Sequence, residues 1–185
     1  MVSIMDLWLP ILLSAVIVFL ASSLLHMVLK YHKSDYTGMP GEDNVMEAMR
    51  REGVGPGDYF MPHCADTAAM KDPAWIAKCE KGPSGIITIL PSGPPNMGKS
   101  LVLWFVYSLV VGVLVAYVTG RTVAAGAEYL VVHRVAGVAA FLAYAGAQPM
   151  NSIWKGQKWS STIKNIVDGL IYAGLTGGTF GWLWP

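Results

Sequence analysis

The sequence predicts an all-α membrane protein: four transmembrane helices, with a small, mostly helical and irregular cytoplasmic segment between the first two. Two observations carry that prediction. Of 185 residues, 54% are hydrophobic and only 14% are charged, against roughly 25% charged in soluble proteins. The apolar residues also gather into four runs, Leu7 to Leu29, Leu101 to Thr119, Ala127 to Ala147 and Ile163 to Trp184, each near the ~20 residues that cross a bilayer as a helix. A helix satisfies its own backbone hydrogen bonds in lipid. The predicted organisation is a first transmembrane helix over 1–30, an extramembrane segment over 31–99 and a three-helix transmembrane region over 100–185.

The first run lacks the basic n-region and small-residue cleavage site of a secretory signal, so it reads as an uncleaved span. Short-loop charges orient it. Lys155, Lys158 and Lys164 lie between or beside the last two runs, and only Arg121 lies between the second and third. Asp6 precedes the first run, and Lys30 and Lys33 follow it. All of these place both termini outside and residues 30–99 and 148–162 in the cytoplasm. Trp8, Tyr117, Tyr129, Trp182 and Trp184 then form an outer aromatic belt, and Trp104, Tyr144, Trp154 and Trp159 an inner one.

Within 31–99, "GEDNVMEAMRREG" predicts a short helix with Asp43 as cap, and "DPAWIAKCEKG" a second with Asp72 as cap and Pro73 in its first turn. "GVGPGDYFMP" reads as turns and "GIITIL" as a strand. With few large apolar groups the segment is marginal as an independent domain, and Tyr59, Phe60 and Trp75 are expected to anchor it on the membrane face. His63, Cys64 and Cys79 are too few and too widely spaced for a metal site. Cytoplasmic thiols stay reduced, whereas the inverted topology would favour a disulfide.

"GPPNMGKS", Gly93 to Ser100, fits the pattern GxxxxGK[ST] of a phosphate-binding loop. Its context argues otherwise. The helix it opens is a membrane span, no further αβ units follow, and Pro94 and Pro95 remove amide donors. Lys99 reads instead as a snorkelling residue at the cytoplasmic boundary. Neither nucleotide nor nucleic acid is an expected partner, since the basic residues form no patch interleaved with aromatics.

Ionisable groups inside spans are expensive and point to function. Ser14, Ser22, His26 and Lys30 form an i, i+4 stripe on the first span, and Lys164, Asp168, Tyr172 and Thr176 form one on the fourth. His26 and Asp168 would sit at similar depth, and they are the candidate intramembrane pair, as an interhelical bond or as a proton or ion relay. His133, Arg134 and Glu128 are a candidate outer-leaflet polar group, with Arg134 reaching toward Glu128 or Asp6. Small residues recur every fourth position at Ser108, Gly112, Ala116 and Gly120, and again at Gly169, Ala173, Gly177 and Gly181. Such ridges let helix backbones approach closely.

Three stretches, "WLPILLSAVIVFLASSLLHMVLKYHKSDY", "MGKSLVLWFVYSLVVG" and "NSIWKGQKWSSTIKNIVDGLIYAGLTGGTFGWLWP", resemble a family of small uncharacterised bacterial inner-membrane proteins. The resemblance implies a multi-pass protein of the bacterial inner membrane and assigns no activity, cofactor or catalytic residue. No catalytic constellation appears in the sequence either. The expected role is a non-enzymatic accessory or assembly subunit, with no cofactor and with the lipid bilayer, a homo-oligomer or other membrane proteins as partners. The alternative is a small oligomeric transporter or channel that uses His26 and Asp168.

Overall fold

A computed structural model describes every residue from Met1 to Pro185. In chain order it contains α1 (Trp8–Ser23), α2 (Glu42–Arg51), β1 (Gly57–Met61), α3 (Pro73–Lys81), β2 (Gly85–Ile89), α4 (Met97–Thr122), α5 (Tyr129–Tyr144), α6 (Gln148–Lys155) and α7 (Trp159–Trp182). The chain divides into a helical unit, Met1–Tyr36 with Asn96–Pro185, and a smaller unit, Thr37–Pro95. The boundary differs from 31–99 because Tyr31–Ser34 coil as a short 3-10 turn and bond to α7.

In the smaller unit β1 and β2 pair antiparallel, with Gly57 opposite Ile89 and Met61 opposite Gly85. The strand in "GIITIL" has its partner in a stretch read as turns, where Asp58, Tyr59 and Phe60 extend between glycine and proline punctuation. Asp72 caps α3 by accepting from the Ala74 amide at 2.8 Å. Asp43 does not cap α2: Gly41 holds the N-cap position in a left-handed conformation, and Asp43 lies in the first turn. There its charge still favours the helix dipole. No residue of α2, α3, β1 or β2 is fully buried. Cys64 and Cys79 are free thiols.

Three stretches of the helical unit are long and apolar enough to cross a membrane: Met5–Val28, Met97–Thr122 and Tyr129–Lys155. The last is interrupted. α5 ends at Tyr144, Ala145–Ala147 turn, and the chain resumes as α6 where a loop was expected. α4 starts at Met97, with the Asn96 side chain accepting from the Lys99 amide at 3.0 Å. Gly98, Lys99 and Ser100 thus belong to a helical turn, and the Asn96 side-chain oxygen takes up the Lys99 N–H.

The four long helices close a ring in which α1 packs on α4 and α7, and α5 packs on α4 and α7. Small residues set the spacing. A Cβ added at Gly177 would lie 2.8 Å from the His133 carbonyl and 3.1 Å from Gly137, and one at Gly120 would lie 2.6 Å from the Val2 carbonyl. Gly169 and Gly181 face Ala145 and Tyr129 with similar closeness, and Gly112 faces Ile11. The α7 ridge therefore seats on α5 and its neighbouring turn, and the α4 ridge on α1 and the residues before it. Val18, Val111, Val115, Val132 and Phe180 fill the interior. Some buried hydroxyls bond to their own helices, as Ser14 to the Ile11 carbonyl and Ser108 to the Trp104 carbonyl.

Both chain ends lie at one end of this ring. The Val2 amide donates to the Gly120 carbonyl at 2.9 Å and the Gly126 amide to the Pro185 carbonyl at 2.6 Å. Two members of the expected inner belt turn inward: Trp104 donates its indole N–H to Ser22 Oγ at 2.8 Å, and Tyr144 is buried. An indole with a hydrogen-bond partner inside loses its reason to sit at the headgroups.

Candidate functional site

The site forms where α1 ends. After Ser23 the helix widens into one π turn, Leu24–Val28, a distortion that often marks functional positions. His26 lies in that turn. Its Nδ1 is 3.0 Å from the Ser22 carbonyl; a carbonyl only accepts, so Nδ1 carries the hydrogen and Nε2 faces outward. Lys30 then takes a left-handed conformation, φ 53°, which is uncommon outside glycine. It reverses the chain and lays Tyr31–Ser34 back over the helices. The wider π turn and Lys30 together end the regular stripe that Ser14, Ser22, His26 and Lys30 would have formed.

That reversal brings in His32. Its ring stacks on His26, with centroids 4.5 Å apart and planes 4° from parallel. His32 Nε2 lies 2.8 Å from Asp168 Oδ2, and His32 Nδ1 lies 2.6 Å from Asp35 Oδ2. His26 Nε2 is 3.6 Å from the same Asp168 oxygen. Lys164, one turn before Asp168, donates to Asp35 Oδ1 at 2.7 Å and to the Tyr31 carbonyl and Ser34 Oγ at 2.8 Å each. All three ammonium hydrogens are used. The result is a continuous array from His26 through Asp168, His32 and Asp35 to Lys164.

Burial would raise the Asp35 carboxyl. Hydrogen bonds from Lys164, His32 and Ser161, with the Lys164 charge, outweigh it and hold the group down at about 2. Asp168 is only 3% exposed, and its Oδ1 has no hydrogen-bond partner. A buried carboxylate oxygen without a donor is costly, so this atom is available to something else. One ring nitrogen each of His26 and His32 and a carboxylate oxygen of Asp168 all lie within 4.8 Å of one another. They are the residues that could hold a metal ion.

His26 and Asp168 also line a cavity of about 610 Å3 between the helices, within the range of small-molecule sites. Trp104, Tyr107, Tyr144 and Tyr172 make its wall, and Gln148 and Asn165 add amides near Asp168. Tyr144 and Tyr172 meet edge to face at 5.5 Å, with Trp104 against both.

The outer-leaflet candidates do not converge. His133 stacks on Tyr129 at 5.6 Å, and its Nδ1 is buried without a partner. Arg134 and Glu128 are exposed, and Arg134 forms no ion pair with Glu128 or Asp6, because its side chain lies along an apolar groove beside Leu114, Val118 and Val138. Asp6 is engaged instead by the Ser3 amide.

No protein-family model, curated protein or solved structure matches the chain. Sequence reasoning passed over His32 and Asp35, which it assigned to the extramembrane segment. The signal available was "HKSD", a histidine and an aspartate three residues apart directly after the basic end of an apolar run.

Proposed function

We propose that the chain is a four-span protein of the bacterial inner membrane that binds a small amphipathic ligand between its helices. The observation that carries this reading is the cavity itself: an aromatic wall ending at the buried carboxylate of Asp168. α7 serves as the fourth span. At 24 residues it is about 36 Å long, and its polar residues Lys164, Asn165 and Asp168 face partners or the cavity rather than lipid. The topology puts both termini outside and the His32 end toward the cytoplasm, where Lys155, Lys158 and Lys164 gather.

Planar rings suit a wall of Trp104 and three tyrosines, and His26, Gln148, Asn165 and Asp168 suit a polar end group. This reading stands nearer to the small oligomeric transporter or channel that uses His26 and Asp168 than to an accessory subunit, because a pocket is formed beside those residues. Native mass spectrometry of the protein released from membranes tests it. A small molecule retained by wild type and lost in Ala143→Phe, which fills the cavity, is the expected result. A protein that carries stoichiometric other subunits and no small molecule would return the role to assembly.

A further inference from the structure

We infer that His26, His32 and Asp168 form a binding site for a divalent first-row transition metal of the zinc class, with an open coordination position toward the cavity. The argument begins with hydrogens. His26 Nδ1 is committed to the Ser22 carbonyl and His32 Nδ1 to the Asp35 carboxylate. Both Nε2 atoms therefore point at one oxygen of Asp168, at 3.6 and 2.8 Å. Two imidazole nitrogens and a carboxylate are all electron-pair donors, and something positive must lie among them.

A single proton satisfies one contact, His32 Nε2 to Asp168 Oδ2. It leaves His26 Nε2 at 3.6 Å, too far for a good hydrogen bond, and it leaves Asp168 Oδ1 unpartnered. A metal ion takes both Nε2 atoms and the carboxylate together.

The surroundings match those of metal-binding histidines, which give their second nitrogen's hydrogen to a carboxylate or a backbone carbonyl. Here one histidine has each kind. Asp35 is itself held by Lys164, which fixes the His32 ring. Two imidazoles and one carboxylate select a borderline transition ion over magnesium or calcium. Three protein ligands leave the open position of reactive or exchangeable zinc sites. His26, with its side chain 48% exposed, has the freedom to tilt out of the stack as both rings turn toward one ion.

Metal entry also displaces the proton shared by His32 and Asp168, whichever of the two holds it. The inference shares His26 and Asp168 with the ligand cavity but does not require an occupant there, and His32 is not among the cavity's walls.

The test uses the full-length protein in detergent, stripped with a chelator and titrated with Zn2+ or Co2+ alone. The expected result is one ion per chain, bound far more tightly than Mg2+, with about one proton released per ion and visible absorption of low-coordinate cobalt. His26→Ala, at a half-exposed position, and His32→Gln should each weaken binding at least tenfold. Asp35→Asn should weaken it about 10- to 100-fold while the cobalt spectrum survives. His63→Ala should change nothing.

Tight binding that persists in both His26→Ala and His32→Gln, binding that depends on His63, Cys64 or Cys79, or affinity no greater than for Mg2+ would each overturn the site. Ala143→Phe separates the two readings: it should empty the cavity and leave zinc bound, whereas His32→Gln should release zinc and leave the small molecule.

Discussion

Asp35 illustrates how one residue can tie a turn to a helix. Its carboxyl is held at about 2, below the ordinary 3.8, so the folded state favours the ionised form. The stability that follows is fully present above the ordinary carboxylate range, and it is lost as pH falls from about 4 toward 2. Thermal unfolding between pH 6 and pH 2 should show this loss in wild type, and the dependence in that window should flatten in Asp35→Asn. Lys164→Met should be more damaging than Asp35→Asn at neutral pH, because it leaves Asp35, the Tyr31 carbonyl and Ser34 without their shared donor. A loss of a few kcal/mol is expected for breaking such a pair from one side, measurable as a lower midpoint in detergent. Asp35 was not legible as functional, whereas Lys164 already stood in the polar stripe of the fourth run. A lysine in a left-handed conformation leaves no mark in composition, yet Lys30 is what carries His32 and Asp35 back to α7.

At the scale of elements, the sequence is read more easily. Long apolar runs are what a bilayer demands, so α1, α4 and α5 were visible within a few residues, whereas α6 falls where a loop was expected. The small-residue ridges were visible too, since backbone proximity requires small side chains whatever the partner. Their partners were not, because spacing along one helix says nothing about which neighbour fills the groove. Gly177→Ala should destabilise the α5 and α7 pair by about 1–3 kcal/mol, because its Cβ would press on the His133 carbonyl. Gly177→Leu should prevent assembly, read as loss of the monodisperse peak in size-exclusion chromatography. Wild-type behaviour of both variants would show that the contact tolerates more space than the structure gives it. The π turn was the least legible element. It inserts one residue's worth of rotation into α1, and an i, i+4 stripe assumes there is none.

For the whole molecule, the orientation rests on lysines and is open to a direct test. Cys64 and Cys79 are both free, and both lie in the segment assigned to the cytoplasm. A membrane-impermeant maleimide should leave them unlabelled in intact cells and label them after lysis. Labelling without lysis would invert the topology. The two ends of the helical ring are also built differently. Around the termini, Val2, Gly120, Gly126 and Pro185 are joined amide to carbonyl, and Trp184 adds its indole N–H to the Ala124 carbonyl. The Val2–Gly120 bond carries no titrating group. At the far end the closure is made by histidines, carboxylates and a lysine. Acid therefore acts directly on the bonds that fasten the far end, beside the cavity mouth. Hydrogen exchange, corrected for intrinsic rates, should quicken in Tyr31–Asp35 as the medium is acidified while the amide of Val2 keeps its protection.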